Sequence, residues 1–272
     1  MKTILDTILE DVRHEVAAAK SSAPLSEIQA RLADAPPARD FAAALSSSFG
    51  LIAEIKERSP SVGPMRADNV RNAPAAYETS PLVMAVSVLT NHTHFGMDIH
   101  RLAEIRNQVS KPILRKDFFV DEYQVFEARA FGADAILLMA NVLDAPTMQR
   151  LHQLALELGM EALFEIHTLD EIATLPCKAR VVGINSRKFK TDSGFVAAGQ
   201  SSAKDFSLDP QVFHLVDKLP ANSIRVAESG ISAENLFSLA SAFQAALVGT
   251  SLLRDERGIL AALQDFEAAL SS

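Results

Sequence analysis

The stretch AILLMANVLDAPTMQRLHQLALELGMEALFEI, residues 135–166, decides the fold of this chain. It opens and closes with an apolar run, and both runs have the length and composition of buried β-strands. The segment between them has helical periodicity and begins near Asp144, a residue type that caps the first turn of a helix. The order strand, helix, strand predicts two parallel strands with the helix packed outside them.

The same alternation extends in both directions, from about residue 50 to near the end of the sequence. Its eight apolar runs predict a closed barrel, and a barrel of roughly 250 residues accounts for most of the chain. We therefore expect residues 1–272 to form one α/β domain, a single (β/α)8 TIM barrel. The candidate strands start at Leu51, Val83, Pro112, Ala135, Ala162, Val181, Ile224 and Ala245, and the helices start near Asn69, Asp98, Asp121, Asp144, Thr168, Asp209, Ser232 and Glu256.

Two segments lie outside this alternation. Residues 1–47 precede the first strand and carry enough apolar side chains for two packed helices, with a break at Pro36 and Pro37, so we predict an N-terminal helical extension. Residues 191–207 lengthen the connection after strand 6 well beyond the usual length of roughly 2–6 residues. We expect this insertion to be a mobile flap over the site, with a surface for a partner protein as the alternative.

Composition excludes several classes of function. A net charge of −8 opposes non-specific attraction to nucleic acid, and no basic cluster with interleaved aromatic residues appears. No apolar run approaches a secretory signal or the roughly 20 residues of a membrane span. A single cysteine, Cys177, excludes an internal disulfide and a multi-cysteine metal site. We expect a cytoplasmic protein whose partner is a small molecule, neither nucleic acid nor membrane.

Charged side chains gather where the candidate strands end. In a barrel these ends meet at one mouth, where the loops after the strands carry the reactive groups. Side chains alternate along a strand, so Glu54 and Lys56 share a face, and an inward orientation makes them converge with groups from other strands. The candidate residues are Glu54 and Lys56 on strand 1, Lys116 on strand 3, Glu165 on strand 5, Asn185 and Arg187 at strand 6, and Glu228 on strand 7.

Each of these charges, taken alone, is equally well explained as a strand-end residue in contact with water. Their number argues against that explanation, because burying an unpaired ammonium or carboxylate group costs several kcal/mol. The mixture of signs predicts mutual pairing that keeps the lysines and carboxylates ionised. A crowded lysine that loses its proton more easily is the alternative.

Two glycine-containing turns predict a phosphate site. Ser229 and Gly230 follow strand 7, while Gly249 and Thr250 follow strand 8 at the start of a short helix. Glycine lets the backbone approach a ligand closely, and free N–H groups at a helix start favour an anion. Phosphate sites in barrels recur at these two loops, whereas either pair elsewhere is an ordinary turn. We therefore expect an anionic sugar phosphate as the ligand.

The segment EIKERSPSVG, residues 54–63, closely resembles the signature of indole-3-glycerol-phosphate synthases. Other segments resemble that family in order from about Phe49 to Leu253, and an N-terminal helical extension is also a feature of the family. These segments are SVLTNHTHF from Ser87, PILRKDFFVDEYQV from Pro112, GADAILLM from Gly132, LFEIH from Leu163, VVGINSRKFKT from Val181, VAESGI from Val226 and ALVGTSLL from Ala246.

The resemblance implies a carboxy-lyase of tryptophan biosynthesis that works without a metal or an organic cofactor. Its substrate would be 1-(2-carboxyphenylamino)-1-deoxyribulose 5-phosphate. Ring closure would yield indole-3-glycerol phosphate, carbon dioxide and water. Other tryptophan-pathway enzymes would be candidate partners.

The resemblance also implies roles for the charged residues. Lys116 would be the general acid that protonates the carbonyl oxygen of the substrate, while Lys56 would hold the anthranilate carboxylate and also serve the dehydration. Glu165 would accept a proton in the dehydration or stabilise a cationic intermediate, and Glu54 would tune Lys56. Which lysine acts in which step does not follow from the sequence.

The remaining candidates divide by the part of the substrate that they would contact. Glu228 would belong to the catalytic group with Asn185, which would also help Ser59 to hold the carboxylate. The substrate-binding residues would be Ser59 at the carboxylate, Phe95, Phe118 and Leu137 around the aromatic ring, Ser229, Gly230, Gly249 and Thr250 at the phosphate, and Arg187 with no part of the substrate assigned.

The chain departs from the usual family pattern in its loops. Residues 94–98 read HFGMD where the family carries an aromatic pair, a variable residue and Gly-Ser, so we expect this loop to fold differently. Lys188 and Phe189 replace an Asp-Leu pair, and the insertion at residues 191–207 is a further difference. These departures indicate a divergent member of the family.

Two other functions are compatible with these patterns. A phosphoribosyl isomerase of the same barrel superfamily would share the phosphate loops, but its acid–base pair is usually a Cys or Asp after strand 1 and an Asp after strand 5, where this chain has Lys56 and Glu165. A catalytically silent barrel that binds a sugar phosphate or a protein would have no need of Lys116 and Glu165. Fold analogy alone does not decide between such functions.

Overall fold

We describe a computed structural model of the chain, for residues 4–187 and 207–271. Within these ranges the main sheet is a closed barrel of parallel strands, each paired with its neighbours in chain order and the last with the first. The predicted TIM barrel is therefore confirmed. The strands are β1 (Gly50–Ile55), β2 (Val83–Leu89), β3 (Ile113–Lys116), β4 (Ala135–Met139), β5 (Glu161–Ile166), β6 (Val181–Asn185), β7 (Ile224–Glu228) and β8 (Ala245–Val248).

Helices follow the strands, and aspartates cap several of them. Asp98, Asp121 and Asp144 each accept a hydrogen bond from a backbone N–H of the first turn, at the starts that the sequence predicts. The helices are α1 (Ile4–Ser22), α2 (Leu25–Arg31), α3 (Phe41–Ala44), α4 (Ala67–Thr79), α5 (His92–Phe95), α6 (Ile99–Arg106), α7 (Glu122–Ala130), α8 (Ala145–Glu157), α9 (Leu169–Ile172), α10 (Ala233–Ala240), α11 (Thr250–Leu253) and α12 (Ile259–Ser271).

Three predicted helix positions need correction. α4 begins at Ala67, two residues before Asn69, because the buried Asn69 amide does not cap its own helix but donates to the carbonyl oxygens of Leu253 and Asp255, 3.2 and 2.9 Å away. The segment after Asp209 is a 3-10 helix, Pro210–Lys218, rather than an α-helix. The last helix begins at Ile259, three residues after Glu256.

Two hydrophobic clusters divide the core according to the alternation of side chains along the strands. Leu51, Ala53 and Ile55 of β1 belong to the cluster that packs the strands against the helices. Ile52 belongs to the other cluster, which joins the remaining strand side chains to apolar residues of the N-terminal segment. Glu54 and Lys56 therefore share the face of Ile52, the inner face of the barrel.

Hydrogen bonds from Arg106 and to Asp134 hold the N-terminal extension to the barrel. α1 and α2 meet at Pro24, before the Pro36–Pro37 break, and a third short helix, α3, follows that break. Arg106 donates to the Pro37 carbonyl oxygen at 2.9 Å, and the Arg39 backbone N–H donates to Asp134 at 2.8 Å.

The predicted insertion at residues 191–207 lies outside the described residues, except for Ser207. Lys188 and Phe189 also lie outside them. None of the described helices combines the length and apolar content that crossing a bilayer requires.

Candidate active site

A cavity of about 290 Å³ opens at the carboxyl ends of the strands. All fifteen site residues predicted from the sequence line it, although convergence alone does not establish the role of any of them. They are Glu54, Lys56, Ser59, Phe95, Lys116, Phe118, Leu137, Glu165, Asn185, Arg187, Glu228, Ser229, Gly230, Gly249 and Thr250.

Strand β1 supplies a tight ion pair to the cavity. The Lys56 ammonium contacts the Glu54 carboxylate directly, and both side chains are largely buried. Burial raises the pKa of Glu54, but the positive charges of Lys56, Lys116 and Arg187 outweigh burial and hold this pKa below its usual value. Glu54 is therefore ionised at neutral pH and keeps a counter-charge beside Lys56.

A looser pair spans β3 and β5. Lys116 Nζ lies 3.8 Å from Glu165 Oε2, which is beyond hydrogen-bond distance, and Glu165 is 1% exposed. Burial lowers the pKa of Lys116, but the carboxylates of Glu165, Glu54 and Glu228 outweigh burial and raise this pKa above its usual value. Lys116 is therefore a charged donor of protons that no single acceptor engages closely.

Glu228 departs from the expected ionisation. Its side chain is buried at the end of β7, and burial together with the nearby Glu165 carboxylate raises its pKa well above the usual value despite the charge of Lys116. Gly183 on β6 makes room for this side chain, since a Cβ atom there would lie 3.0 Å from Glu228 Cδ. The expectation of uniformly ionised groups agrees with the lowered pKa of Glu54 and the raised pKa of Lys116, whereas the raised pKa of Glu228 shifts this group toward its neutral form.

The end of β6 adds polar groups at one side of the cavity. Asn185 Oδ1 accepts a hydrogen bond from the Arg187 backbone N–H at 2.9 Å, which fixes the turn that follows the strand. Burial lowers the pKa of Arg187, although Glu54 and Glu165 oppose this effect. Ser59 lies in a short hairpin, Arg58–Ser59 with Gly63–Pro64, and its hydroxyl is 2.8 Å from that of Ser61. These side chains offer hydrogen-bond donors to a carboxylate.

The loop after β7 contains two consecutive residues in the left-handed region of backbone conformation. Ser229 has a φ of 68° and Gly230 a φ of 69°. A left-handed conformation is strained for a serine and persists where the surroundings hold it. Here the Ser186 hydroxyl donates to the Ser229 carbonyl oxygen at 2.9 Å, and the Asn235 amide donates to that of Gly230 at 2.8 Å.

The loop after β8 passes close to the charged pair of β1. A Cβ atom on Gly249 would lie 3.0 Å from Glu54 Cδ, so only glycine fits between this loop and the carboxylate. Thr250 begins α11 directly after it. The loops after β7 and β8 thus form one side of the cavity, between the polar groups at the ends of the neighbouring strands β6 and β1.

The divergent loop after β2 forms a short helix, α5, which ends at Gly96 with a φ of 76°. The Arg58 guanidinium donates to the His92 and Thr93 carbonyl oxygens at 3.0 and 3.1 Å. His94 Nε2 lies 3.0 Å from Asp11 Oδ2 on α1. The loop is thus tied both to the hairpin that follows β1 and to the N-terminal helix, and Phe95 lines the cavity. That it folds differently from the same loop in other family members stays a prediction.

Sequence reasoning missed several cavity residues. Ile8 reaches the cavity from α1, and its signal was the apolar stripe of that helix. Leu208 pairs with Arg187 across an antiparallel bridge, and no local pattern indicates this contact. Ser61 lies within the segment that resembles the family signature, but it was not among the predicted site residues. Met139, which its sequence position would assign to packing alone, also lines the cavity.

Comparisons with known proteins agree with this geometry. A solved N-(5'-phosphoribosyl)anthranilate isomerase from Pyrococcus furiosus superposes with a TM-score of 0.54 over 82% of this chain and 98% of that one, but at 14% identity it shows the fold alone. An indole-3-glycerol phosphate synthase from Chromobacterium violaceum is 38% identical over 94% of each chain. One from Mycolicibacterium smegmatis is 39% identical over 92% of this chain and 89% of that protein.

The family profile described as indole-3-glycerol phosphate synthase matches residues 5–262, nearly the whole chain. This match and the curated relatives carry the same name, and they favour the synthases over the isomerase alternative. The chain belongs to the indole-3-glycerol phosphate synthase family, a family of carboxy-lyases.

Proposed function

We propose that this chain closes 1-(2-carboxyphenylamino)-1-deoxyribulose 5-phosphate into indole-3-glycerol phosphate, with Lys116 as the general acid. One observation carries the proposal. Lys116 is a partly buried ammonium group with a raised pKa, and it lines a cavity that also contains the glycine-containing loops after β7 and β8 and the polar side chains at the ends of β1 and β6. The family membership of the chain supports the same reaction.

The substrate is bound at both ends. Its phosphate lies against Ser229, Gly230, Gly249 and Thr250, and its anthranilate carboxylate lies against Lys56 with Ser59, Asn185 and Arg187. Fixing both ends bends the molecule and brings the aromatic ring to the ketone, a positioning effect worth several kcal/mol. Phe95, Phe118 and Leu137 supply apolar surface for the ring.

In the first step the ring carbon that bears the carboxylate attacks the ketone carbon. A new carbon–carbon bond forms, and Lys116 Nζ transfers its proton to the ketone oxygen, which becomes a hydroxyl group. Carbon dioxide then leaves, and the electron pair of the broken bond restores the aromatic ring. A positioned ammonium group suits this step because negative charge develops on the oxygen that it faces.

In the second step the new hydroxyl group leaves as water. Lys56 gives a proton to that hydroxyl, while Glu165 removes a proton from the neighbouring carbon that is bonded to nitrogen. The remaining electron pair forms the double bond of the indole. Glu54 keeps a counter-charge beside Lys56, and the raised pKa of Glu228 disfavours a second negative charge beside Glu165.

The test is turnover followed by indole fluorescence, with EDTA present, in the wild type and in Lys116→Ala. We expect metal-independent turnover that falls by hundreds-fold or more in the variant, the scale that general acids supply. Lys111→Ala is the matched control, because Lys111 donates to the Ser80 and Val83 carbonyl oxygens outside the cavity. Saturable substrate binding without turnover in the wild type would overturn the proposal and favour a silent phosphate-binding barrel.

A further inference from the structure

Glu165 has a second ionisable neighbour on the side away from Lys116. Its Oε2 atom faces Lys116, whereas Oε1 lies 3.4 Å from Nε2 of His167. His167 is outside the set of residues that line the cavity. The two oxygens of one buried carboxylate thus face the substrate site and a histidine behind it.

The histidine is oriented by a second carboxylate. The His167 backbone N–H donates to Glu171 Oε2 at 2.6 Å, and ring atom Nδ1 lies 3.6 Å from the same oxygen. Burial raises the pKa of Glu171, but the hydrogen bonds from the His167 side chain and backbone outweigh burial and lower it. An ionised Glu171 favours the tautomer with its proton on Nδ1, which leaves Nε2 as a proton acceptor toward Glu165.

The order carboxylate, imidazole, carboxylate is therefore built across the wall of the cavity. Glu171 lies on α9, His167 directly follows β5, and Glu165 is two residues earlier on that strand. The other charged groups around Glu165 are Lys116 from β3, Glu228 from β7 and Arg187 after β6. The side chains of His167 and Glu171 are 13% and 17% exposed, but both ring nitrogens of His167 are shielded from solvent, so a proton on the ring reaches water through Glu171.

We propose that His167, oriented by Glu171, relays the proton that Glu165 accepts in the dehydration out to water. This inference rests on the proposed function. The O–H bond at Glu165 Oε1 breaks, the lone pair of His167 Nε2 takes the proton, and the resulting imidazolium gives its Nδ1 proton to the Glu171 carboxylate, which passes it to water. Glu165 returns to its ionised form without using the cavity, which product still fills. The 3.4 Å gap is typical of free enzymes, in which catalytic contacts tighten when substrate binds.

The test replaces the imidazole and then supplies one from solution. We expect His167→Ala to lower kcat by about tenfold or more, with KM within about twofold, because His167 does not contact substrate. Added imidazole should restore kcat, and the restoration should increase with pH as the buffer becomes neutral and able to accept a proton. Glu171→Gln should lower kcat by a similar factor and shift its pH profile, because the proton leaves the ring through this carboxylate.

Matched variants separate a relay from a structural role. His214→Ala removes an exposed histidine from the 3-10 helix and should leave kcat unchanged with no response to imidazole. An unchanged kcat in His167→Ala would overturn the relay and favour return of the proton directly to Lys116. A loss of kcat that imidazole does not restore, or a loss in KM alone, would also overturn it. Absence of turnover in the wild type would instead contradict the proposed function.

Discussion

The two lysine–glutamate pairs of the cavity differ in how closely they are joined. Lys56 and Glu54 are neighbours on β1 and touch, whereas Lys116 and Glu165 come from different strands and stay 3.8 Å apart. In a tight pair the two charges neutralise each other, and the contact holds both side chains in place. A loose pair in a buried site remains available to a third partner, because neither member has its best hydrogen bond until substrate arrives. We therefore expect the first pair to act chiefly in substrate positioning, with Lys56 donating a proton only in the dehydration, and the second pair to act chiefly in proton transfer.

Replacing each acid by its amide should separate the two pairs most strongly. Glu165→Gln removes the proton acceptor, so kcat should fall by about 10²–10⁴-fold with little change in KM. Glu54→Gln leaves Lys56 buried beside a neutral amide, so KM should rise by about tenfold while kcat falls less. Steady-state kinetics by indole fluorescence measures both.

The difference in kinetic pattern is the informative result. Substrate binding by each variant, measured without turnover, would check that the cavity is intact. Equal losses of kcat in the two variants, with KM unchanged in both, would contradict the division of roles between the pairs.

Two glycines offer a steric way to disturb acidic groups without changing any charge. Gly249→Ala forces its new Cβ against Glu54, and Gly183→Ala forces its Cβ against Glu228. Displacing Glu54 disturbs the Lys56 pair beside the phosphate loop, so we expect kcat/KM to fall by about tenfold or more for Gly249→Ala, chiefly through KM. For Gly183→Ala we expect a smaller fall, chiefly in kcat, because Glu228 moves against Glu165. Steady-state kinetics would show whether the two defects differ in this way; a loss through KM in both variants would not fit.

Much of the fold and the membership of the site was predictable from the sequence because both follow from local patterns. Apolar runs with period-two alternation define β1 to β8, and residues such as Glu54, Lys116 and Glu165 are marked by their position at strand ends. A closed barrel then brings such ends together, whatever their separation in sequence. The resemblance to a known family supplied the assignment of roles.

Other features depend on contacts that local patterns do not encode. Asn69 is a plausible cap in the sequence, yet its amide bonds to carbonyl oxygens near Leu253, so α4 starts earlier. Ile8 reaches the cavity only because α1 lies beside the barrel. The raised pKa of Glu228 follows from burial and from the approach of Glu165, neither of which the charge pattern reveals.

Glu228→Gln should have a smaller effect on turnover than the other two acid-to-amide changes in the cavity. The raised pKa of Glu228 favours the neutral carboxyl group, which resembles an amide, so we expect kcat within a few-fold of the wild type. A raised folded-state pKa means that Glu228 contributes stability below its unfolded pKa and loses it as pH rises through the folded value. The variant should therefore gain thermal stability relative to the wild type as pH increases.

Thermal unfolding measured from acidic to alkaline pH checks this sign. The melting temperatures of the wild type and Glu228→Gln should differ least at acidic pH. The difference should grow as the pH increases, with the variant the more stable. The opposite divergence, with the variant relatively less stable at high pH, would mean that Glu228 is ionised in the folded protein and that the cavity holds one more negative charge than we assign to it.

Asp134→Asn should leave the turnover of the folded enzyme unchanged and act on stability alone. The Asp134 carboxylate differs from that of Glu165 in how closely its partners engage it. It accepts hydrogen bonds from Arg106 at 2.8 Å, from the Arg39 backbone N–H at 2.8 Å and from the Ile113 backbone N–H at 2.7 Å. Removing its charge leaves Arg106 buried without an ion partner, so we expect a loss of about 3 kcal/mol or more. The melting temperature should fall by about 10 °C.

Asp68→Asn is the matched control, because Asp68 pairs with Arg71 on the exposed face of α4, and exposed pairs contribute about 0–1 kcal/mol. Thermal unfolding and kcat, measured on both variants below the melting range, give the comparison. A fall of kcat in folded Asp134→Asn would mean that the carboxylate anchoring the N-terminal extension also influences the cavity, through Ile8 of α1. An unchanged kcat with a lowered melting temperature would show that a carboxylate engaged by three donors serves the fold, whereas one with loose partners, such as Glu165, remains available to substrate.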